Sequence, residues 1–368
     1  MMKFDIFSQI IVTSIFGISL SVCSAQEIPA DWKMECVGRL QLSFPSEVDV
    51  AGYTFKKLEE QIDGGGEPQF QFQDGSAANW SSLQYGGLIY TSNSLEKKEY
   101  SELEIHMKKW MENSRLSSLN RKNEDAKNRQ FEILATNPQT GMAWHVDERY
   151  RAFLSIRDHV FLWNVTGRSS KNQEPERSNL STIVNGLSYR SLYAVPRTAG
   201  VCLPFFFIRD NDLDKNLSRV IAMTYRLKSH PDVTIMLEDA TADQFDSEKR
   251  EKISEPDYVI DDFWTQYRSP DASIRSLWEF PIKRSVTLAG QKGLASFVKI
   301  TREGNIDYGY FATVRGDPKA KTDTPDLRLY VIQEGSKAKA KGIEPIGKEE
   351  FLKMAETIAA SVQRRPTQ

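Results

Sequence analysis

The pattern of hydrophobic and polar positions passes through one series of predicted elements and then through a similar series again. In the first half, residues 40–44 and 47–55 have the aromatic and β-branched content that strands favour. Residues 100–116 carry large apolar side chains three or four positions apart, which predicts a helix. The other elements predicted in this half are strands at residues 131–135, 142–150 and 159–165 and a closing helix at residues 177–187.

The second half repeats this order. A strand is predicted at residues 205–208, and residues 258–267 fit a helix whose apolar side chains face inward. The closing helix at residues 348–362 ends before Pro366, as helices commonly do. Matching segments of the two halves are offset by about 166 to 175 residues. The other strands predicted in this half lie at residues 232–237, 285–288, 293–301, 308–314 and 327–333.

This repetition predicts an α+β protein made of two similar domains that arose by internal duplication. Strands that follow one another with helices grouped between them indicate antiparallel sheets, with the helices packed on one face. The expected domains are residues 26–195 and residues 196–368, joined near the segment 195–200. A chain of 368 residues gives each half enough length to bury a core of its own.

The N-terminal segment, residues 1–25, has the layout of a secretory signal peptide. Lys3 precedes an apolar run over residues 6–22, and small residues follow it, so cleavage is expected after Ala25. An uncleaved anchor is the alternative, but the run is short and polar for a full membrane span. A lipoprotein would carry its lipid on Cys23, where Val22 stands in place of the small residue expected before such a cysteine.

Cleavage would leave two cysteines, Cys36 and Cys202, which occupy the same place in the two halves. If a pseudo-twofold axis relates the halves, these positions can approach each other and form a disulfide in an oxidising compartment. Such a bond would restrict the unfolded chain by on the order of 4 kcal/mol. The alternative is two buried thiols that pack as small hydrophobic side chains. From the sequence, both interpretations stay open.

Composition limits the partners. The chain is 40% apolar and 27% charged, and its net charge of −2 excludes the basic field that general nucleic-acid binding requires. No second long apolar run follows the signal, so we expect no stable membrane insertion after cleavage. Nucleic acid is therefore not an expected partner.

The motifs of catalysis and cofactor binding are missing from the sequence. Four histidines are scattered along the chain, and no H-E-x-x-H, G-x-S-x-G, C-x-x-C, P-loop or G-x-G-x-x-G is present. His145 and Asp147 share a predicted strand and would face the same side, but no nucleophile accompanies them, so a structural pair is the preferred interpretation. We predict no catalytic, cofactor-binding or metal-binding residues and no cofactor.

Two polar segments are candidate contact loops for a protein partner because they look exposed. One is the breaker segment 63–68, with Gly64, Gly65 and Gly66, and the other carries acidic residues at alternate positions. The acidic segment imitates a calcium loop, but Lys215 and Ile221 stand where an EF-hand needs glycine and glutamate. We therefore interpret it as a polar turn or an exposed acidic loop. Its acidic residues are Asp210, Asp212 and Asp214.

Several short segments, spread over nearly the whole mature chain, resemble one protein family. They are Cys36-Val37-Gly38-Arg39-Leu40, Phe44-Pro45, Gly200-Val201-Cys202, Ala289-Gly290-Gln291-Lys292-Gly293, residues 308–316 and residues 358–366. With these segments the chain resembles the Tli4 family, immunity proteins that protect bacteria against type VI secreted phospholipase effectors of the Tle4 kind.

The resemblance implies a two-domain, non-enzymatic inhibitor located in the periplasm. Its partner would be a cognate secreted phospholipase effector, which it would block sterically before the effector reaches membrane lipid. Both halves are expected to contact the effector. Two other classes stay open: a periplasmic hydrolase, which would show turnover without a partner, and a ligand-binding or envelope scaffold protein, which would give no protection against a toxin.

Overall fold

The structure is a computed structural model, and it describes residues 27–62, 69–119, 131–136, 141–146, 149–165, 174–210, 218–245 and 247–367. The predicted signal peptide, residues 1–25, lies outside the described residues. No helix among the described residues is long and apolar enough to cross a membrane.

The described part of the chain is an α+β protein, as the sequence predicts. Its helices are α1 (Phe55–Ile62), α2 (Lys97–Leu119), α3 (Glu174–Gly186), α4 (Glu248–Ile253), α5 (Pro256–Tyr267), α6 (Gly335–Ala340) and α7 (Lys348–Ser361). The strands before α3 are β1 (Lys33–Val37), β2 (Leu40–Phe44), β3 (Val48–Val50), β4 (Phe70–Gln71), β5 (Ala77–Ala78), β6 (Ser82–Tyr85), β7 (Leu88–Thr91), β8 (Phe131–Leu134), β9 (Gly141–Val146), β10 (Arg149–Ile156) and β11 (His159–Val165). The later strands are β12 (Leu187–Tyr189), β13 (Gly200–Leu203), β14 (Phe206–Arg209), β15 (Arg219–Leu227), β16 (Val233–Ala240), β17 (Ala272–Ser276), β18 (Lys283–Leu288), β19 (Gln291–Arg302), β20 (Asn305–Val314), β21 (Asp326–Gln333) and β22 (Gln363–Arg364).

One antiparallel sheet extends through both halves of the chain. Its order among the described strands is β17-β19-β20-β21-β16-β15-β6-β7-β11-β10-β9-β8, with β18 paired to β19 and β3 paired to β15. At its centre, β6 of the first half pairs with β15 of the second half, in a register that aligns Ser82 with Ala222 and Tyr85 with Arg219. We call this junction the seam. The sequence predicts a separate sheet for each half, whereas the structure joins the strands of both halves into a single sheet.

The order of elements on the two sides of the seam is similar. Outward from the seam, the hairpin β6–β7 is followed by β11, β10 and β9, and the hairpin β15–β16 is followed by β21, β20 and β19. Each half also opens with a cysteine-bearing hairpin, β1–β2 or β13–β14, and ends with a helix and a short strand.

The closing strands connect the halves a second time. The last strand, β22, pairs with β2 near the start of the chain, aligning Leu40 with Arg364. In the equivalent small sheet, β12 pairs with β14, aligning Leu187 with Ile208. Each small sheet therefore contains a hairpin from one predicted domain and a closing strand from the other.

Helices cover both faces of the sheet in the second half, which corrects the prediction that they pack on one face. The sheet separates two hydrophobic cores, one on each face, and the side chains of β20 point alternately into them. Phe311 belongs to one core and Tyr310 belongs to the other. From α5, the Phe263 ring stacks on Phe311 with centroids 4.0 Å apart, whereas α7 packs through Phe351 on the opposite face. A strand buried on both faces needs apolar side chains in both alternating sets, and β20 has them.

Most long elements agree with the hydrophobic pattern, and two strand predictions are wrong. The single strand predicted over residues 142–150 belongs to two paired strands, β9 and β10, in which Arg149 aligns with Val146. The predicted strand over residues 47–55 is a short strand, Val48–Val50, and the chain then begins α1 at Phe55. This helix buries Leu58 and Ile62, four positions apart, and this amphipathic spacing outweighs the β-propensity of the aromatic residues before it.

Candidate interaction surface

The two cysteine-bearing hairpins are joined covalently where the halves meet. Cys36 and Cys202 form a disulfide with their Cα atoms 5.9 Å apart, and both side chains are fully buried. Beside the bond, the Gly38 amide donates to the Cys202 carbonyl at 3.0 Å, and the Cys202 amide donates to the Gly38 carbonyl at 2.8 Å. The backbone and the disulfide therefore hold the same point of the junction.

Gly38 allows this close approach. Its φ of +56° lies in the left-handed region that favours glycine. A Cβ at this position would lie 2.3 Å from a carboxylate oxygen of Asp239. That carboxylate accepts the backbone amide of Arg39 at 2.8 Å, so the hairpin turn rests directly on a buried charge from the other half.

A cluster of buried charges follows the seam. Arg219 contacts Asp239 at 2.7 Å and Asp323 at 2.7 Å, and Arg39 contacts Asp210 at 2.8 Å. These five side chains are between 0 and 11% exposed. Loss of one partner in such a cluster leaves a buried charge uncompensated, so the cluster makes the junction intolerant of single changes.

The cluster lowers the pKa of Asp323. Burial acts to raise this pKa, but the positive charges of Arg219, Arg364 and Arg39 lower it further than burial raises it. The Asp323 carboxylate therefore stays ionised at neutral pH and neutralises arginines from both halves.

A second buried ion pair fixes the start of the chain. Glu35 pairs with Arg190, and its carboxylate also accepts the backbone amide of Tyr193 at 2.5 Å. Arg190 donates from Nε to the carbonyl of Leu203 at 3.1 Å. The end of the first half is thereby bound to the cysteine-bearing hairpin of the second half.

An open cavity of about 690 Å³ lies where the halves meet, and we call it the seam groove. Its lining combines polar and aromatic side chains from both halves. The first half contributes Lys57, Gln69, Phe70, Ala78, Asn79, Trp80 and Ser81, and the second half contributes Gln266, Tyr267, Arg302 and Glu334.

Trp80 is held in this groove by contacts with the second half. The Asn79 carbonyl accepts the hydroxyls of Tyr330 at 2.9 Å and Thr224 at 3.2 Å, and Ser81 donates to the Thr224 hydroxyl at 2.8 Å. Between these anchors, Trp80 has a φ of +69°, a strained conformation for a bulky residue. Strain of this kind persists only when the surroundings impose it, and it is concentrated at functional sites.

The indole of Trp80 remains available to a partner. It is 38% exposed, and its ring lies 5.3 Å from Phe263 on α5, measured between centroids. Across the groove, the Arg302 guanidinium lies 5.9 Å from the centre of the Tyr267 ring. The Nε atom of Arg302 is buried and has no hydrogen-bond partner among the described residues. Tryptophan, tyrosine and arginine are the residue types enriched in the energetic centres of protein interfaces.

Only one of the residues predicted to lie in contact loops, Asp210, is among the residues that the structure describes. Gly64, Gly65, Gly66, Asp212 and Asp214 lie outside the described residues. The sequence predicts that Asp210 is exposed on a contact loop, but its side chain is buried. That side chain is 1% exposed because it bonds to Arg39 and to the hydroxyl of Tyr85.

The candidate structural pair of His145 and Asp147 is described only for His145. Its Nε2 lies 3.0 Å from Glu132 Oε2 on the neighbouring strand, and its ring stacks on Tyr150. Across the parts of the chain that the structure describes, no group of three or more histidine, cysteine or acidic residues is arranged to hold a metal ion.

Sequence reasoning missed the groove residues. Trp80 lies in a short segment between weak strands, and Arg302 stands at the end of a strand, so neither position carries a local pattern that singles it out. The composition of the segment could have indicated the position of Trp80. A single tryptophan among polar residues, with Ser81 directly after it, is unusual in a core.

Fold and site together define a class: an α+β protein whose halves share one antiparallel sheet and form a groove with the composition of a protein-binding site. The comparisons with known proteins identify it further. Residues 194–367 match the family model described as Tle cognate immunity protein 4 C-terminal domain. The match confirms, over these residues, the resemblance to the Tli4 family seen in the sequence.

Solved structures of immunity proteins share the fold. The apo structure of immunity protein TplEi of the T6SS from Pseudomonas aeruginosa is 16% identical, covering 92% of this chain and 98% of that chain with a TM-score of 0.54. A chain in the crystal structure of the Tle4–Tli4 complex is 14% identical, covering 92% of this chain and 98% of that chain with a TM-score of 0.52. The comparison with curated proteins finds no match.

Proposed function

We propose that this chain is a periplasmic immunity protein that binds a type VI secreted phospholipase effector of the Tle4 kind and blocks it sterically. The observation that carries the proposal is the match of residues 194–367 to the Tli4 C-terminal domain. A similar structure comes from a complex of Tle4 with Tli4, which supports an effector as the partner. The producing cell would thereby be protected from hydrolysis of its membrane lipids.

The seam groove is the proposed centre of the interface. Trp80 comes from the first half, whereas Tyr267 and Arg302 come from the second, so one partner placed in the groove contacts both halves. The disulfide and the buried ion pair of Arg39 with Asp210 join the two halves before the partner arrives. A preorganised site loses less conformational entropy on binding, which favours slow dissociation.

Inhibition in this proposal needs no chemistry on the part of the immunity protein. A partner that covers the substrate entrance of a lipolytic enzyme prevents lipid from reaching the catalytic centre. A standard interface of about 1,600 Å² is sufficient for such a block. We therefore propose that the chain is not an enzyme and that it acts after export, as the predicted signal peptide implies.

Purified proteins provide the test. A purified Tle4-type phospholipase effector from the organism that encodes this chain is assayed for phospholipase activity while the mature chain is added in increasing amounts. We expect stoichiometric loss of activity and a stable complex on size-exclusion chromatography. Undiminished activity with excess folded chain would refute the proposal.

Variants locate the interface in the same assay. Trp80→Ala combined with Arg302→Gln is expected to raise the inhibitor concentration needed for half-inhibition by about tenfold or more, as for interface hot spots. Leu88→Ala is the matched control, because Leu88 is 38% exposed like Trp80 but does not line the groove. Equal effects of the double variant and the control would exclude the groove as the binding centre.

We also propose that the two halves arose by internal duplication. The similar order of strands on both sides of the seam supports this origin. So does the equivalent pairing of the closing strands, β12 with β14 and β22 with β2. A superposition of the two halves tests it: most of the paired strands should overlay in the same order, and an overlay confined to one hairpin would contradict it.

A further inference from the structure

The seam groove continues along one flank of α5. A second cavity, of about 100 Å³, shares Trp80 and Gln266 with the seam groove. A third cavity, of about 440 Å³, shares Ile253 and Val259 with the second. Since neighbouring cavities have lining residues in common, the three form one depression beside α5, which we call the α5 trough.

The trough runs the length of the helix. Gln266 and Tyr267, at the C-terminal end of α5, line the seam groove, whereas Tyr258, near the N-terminal end, lines the third cavity. The 12 residues of α5 span about 18 Å at 1.5 Å per residue. An extended chain rises about 3.3 Å per residue, so about five or six residues would cover this distance.

Large apolar side chains are exposed along the trough. Trp80 is 38% exposed, Ile253 is 43% exposed and Tyr258 is 46% exposed. These residues come from three different segments, yet they line connected cavities. Exposed apolar residues grouped in this way mark sites of protein interaction, whereas isolated ones need no explanation.

The charges differ between the two ends. In the third cavity, Arg315 pairs with Glu251 at 3.3 Å and also with Glu255, so this cation is already neutralised. In the seam groove, Glu334 pairs with Lys337, whereas the buried Nε of Arg302 has no hydrogen-bond partner among the described residues. A carboxylate of a partner would find its complement at the seam end, because guanidinium groups bind carboxylates with matching geometry.

We propose that the α5 trough binds one extended segment of the effector, with an acidic residue at Arg302 and apolar side chains against Trp80, Ile253 and Tyr258. This inference rests on the proposed function and states which kind of effector segment the site selects. The polar ends and the apolar middle match a polypeptide better than they match a lipid acyl chain, which would offer no partner to Arg302 at the seam end.

Binding measurements with two sets of variants test the inference. The probe is the same purified Tle4-type phospholipase effector, and its Kd for the full mature chain is measured by calorimetry. Ile253→Ser with Tyr258→Ser removes the apolar contacts beyond the seam groove, and we expect the Kd to rise about tenfold. Arg302→Glu should raise the Kd more than Arg302→Lys, which keeps the charge but loses the planar fork.

The control is Ile133→Ser, on β8 at the opposite end of the sheet. Ile133 is 60% exposed and does not line the trough, so we expect its Kd to stay within twofold of the wild type. Thermal melts of all the variants separate loss of contact from loss of folding.

The outcomes separate the inference from the proposed function. A wild-type chain that does not bind the effector refutes the proposed function and the inference with it. In a second outcome, the wild type binds and Trp80→Ala weakens binding, but Ile253→Ser with Tyr258→Ser does not. The effector then occupies only the seam groove, and the trough proposal is wrong. If Arg302→Glu binds as well as the wild type, the acidic residue is wrongly assigned.

Discussion

Arg219 is the residue on which the buried charges of the seam converge. It is 3% exposed and bonds to Asp239 and Asp323, and the backbone of its strand pairs with β6 of the first half. We expect Arg219→Ala to lower the free energy of unfolding by about 3–5 kcal/mol, because it leaves buried carboxylates uncompensated. Chemical denaturation provides the measurement.

Arg115→Ala is the control for this change. Arg115 pairs with Glu112 on the surface of α2, and the two side chains are 43% and 51% exposed. Exposed pairs contribute little to stability, so the control should be nearly neutral. Similar losses for Arg219→Ala and Arg115→Ala would show that the buried cluster does not hold the seam.

Asp323 gives the seam a dependence on pH. The pKa of Asp323 is lower in the folded protein than in the unfolded chain, where an aspartate has a pKa of about 3.9. The ionised carboxylate therefore stabilises the fold above the unfolded pKa, and this stabilisation is lost as the pH falls through the folded pKa. Asp323→Asn should therefore lose stability at pH 7 and approach the wild type at low pH. Melting temperatures of both proteins between pH 3 and pH 7, as a rough working range, test this.

The effect of Asp323 is seen only in the difference in stability between the wild type and Asp323→Asn. Burial raises the pKa values of Asp307, Asp326 and Glu238, and carboxyl groups of this kind change stability in the opposite direction with pH. A wild-type minus variant difference that is constant with pH would contradict the assignment.

At the scale of elements, the disulfide connects two hairpins that the chain separates by 166 residues. Closing so long a loop restricts the unfolded chain, so Cys36→Ser with Cys202→Ser should lower the free energy of unfolding by about 2–5 kcal/mol. Denaturation of the wild type with and without reductant is the companion measurement. No loss from either treatment would show that the bond adds nothing to the stability of the junction.

Local periodicity predicts the elements whose partners lie nearby. The pattern predicts the closing helix at residues 348–362, and the structure has it at Lys348–Ser361, where Phe351, Ala355 and Ile358 are buried. Helical spacing is a property of the segment itself, so it can be read without knowledge of the neighbours.

Elements defined by distant partners are harder to predict. The strand β15 runs through the centre of the sheet, but the sequence pattern did not single it out. It is buried on both faces, so the alternation of polar and apolar residues that marks a half-buried strand is missing. The pairing of β15 with β6, and with it the seam groove, follows from contacts between residues far apart in the chain and has no local signal.

At the scale of the whole molecule, the halves depend on each other. The seam pairs β6 with β15, β22 completes the sheet of β1 and β2, and β12 completes the sheet of β13 and β14. We expect residues 26–195 expressed alone to aggregate or to lack a cooperative melt, because unpaired strand edges and the buried charges of the seam would face water. Circular dichroism and size-exclusion chromatography test this; a monomeric half with a cooperative melt would contradict it.

The proposed function is protection of the cell, and survival of the cell is its immediate readout. Bacteria that export the Tle4-type phospholipase effector are grown with the full chain, with the chain lacking residues 1–25, and with an empty vector, and the surviving colonies are counted. We predict survival only with the exported chain, because the proposed site of inhibition is the periplasm. Equal killing in all three strains, with the chain stably expressed and folded, would contradict it.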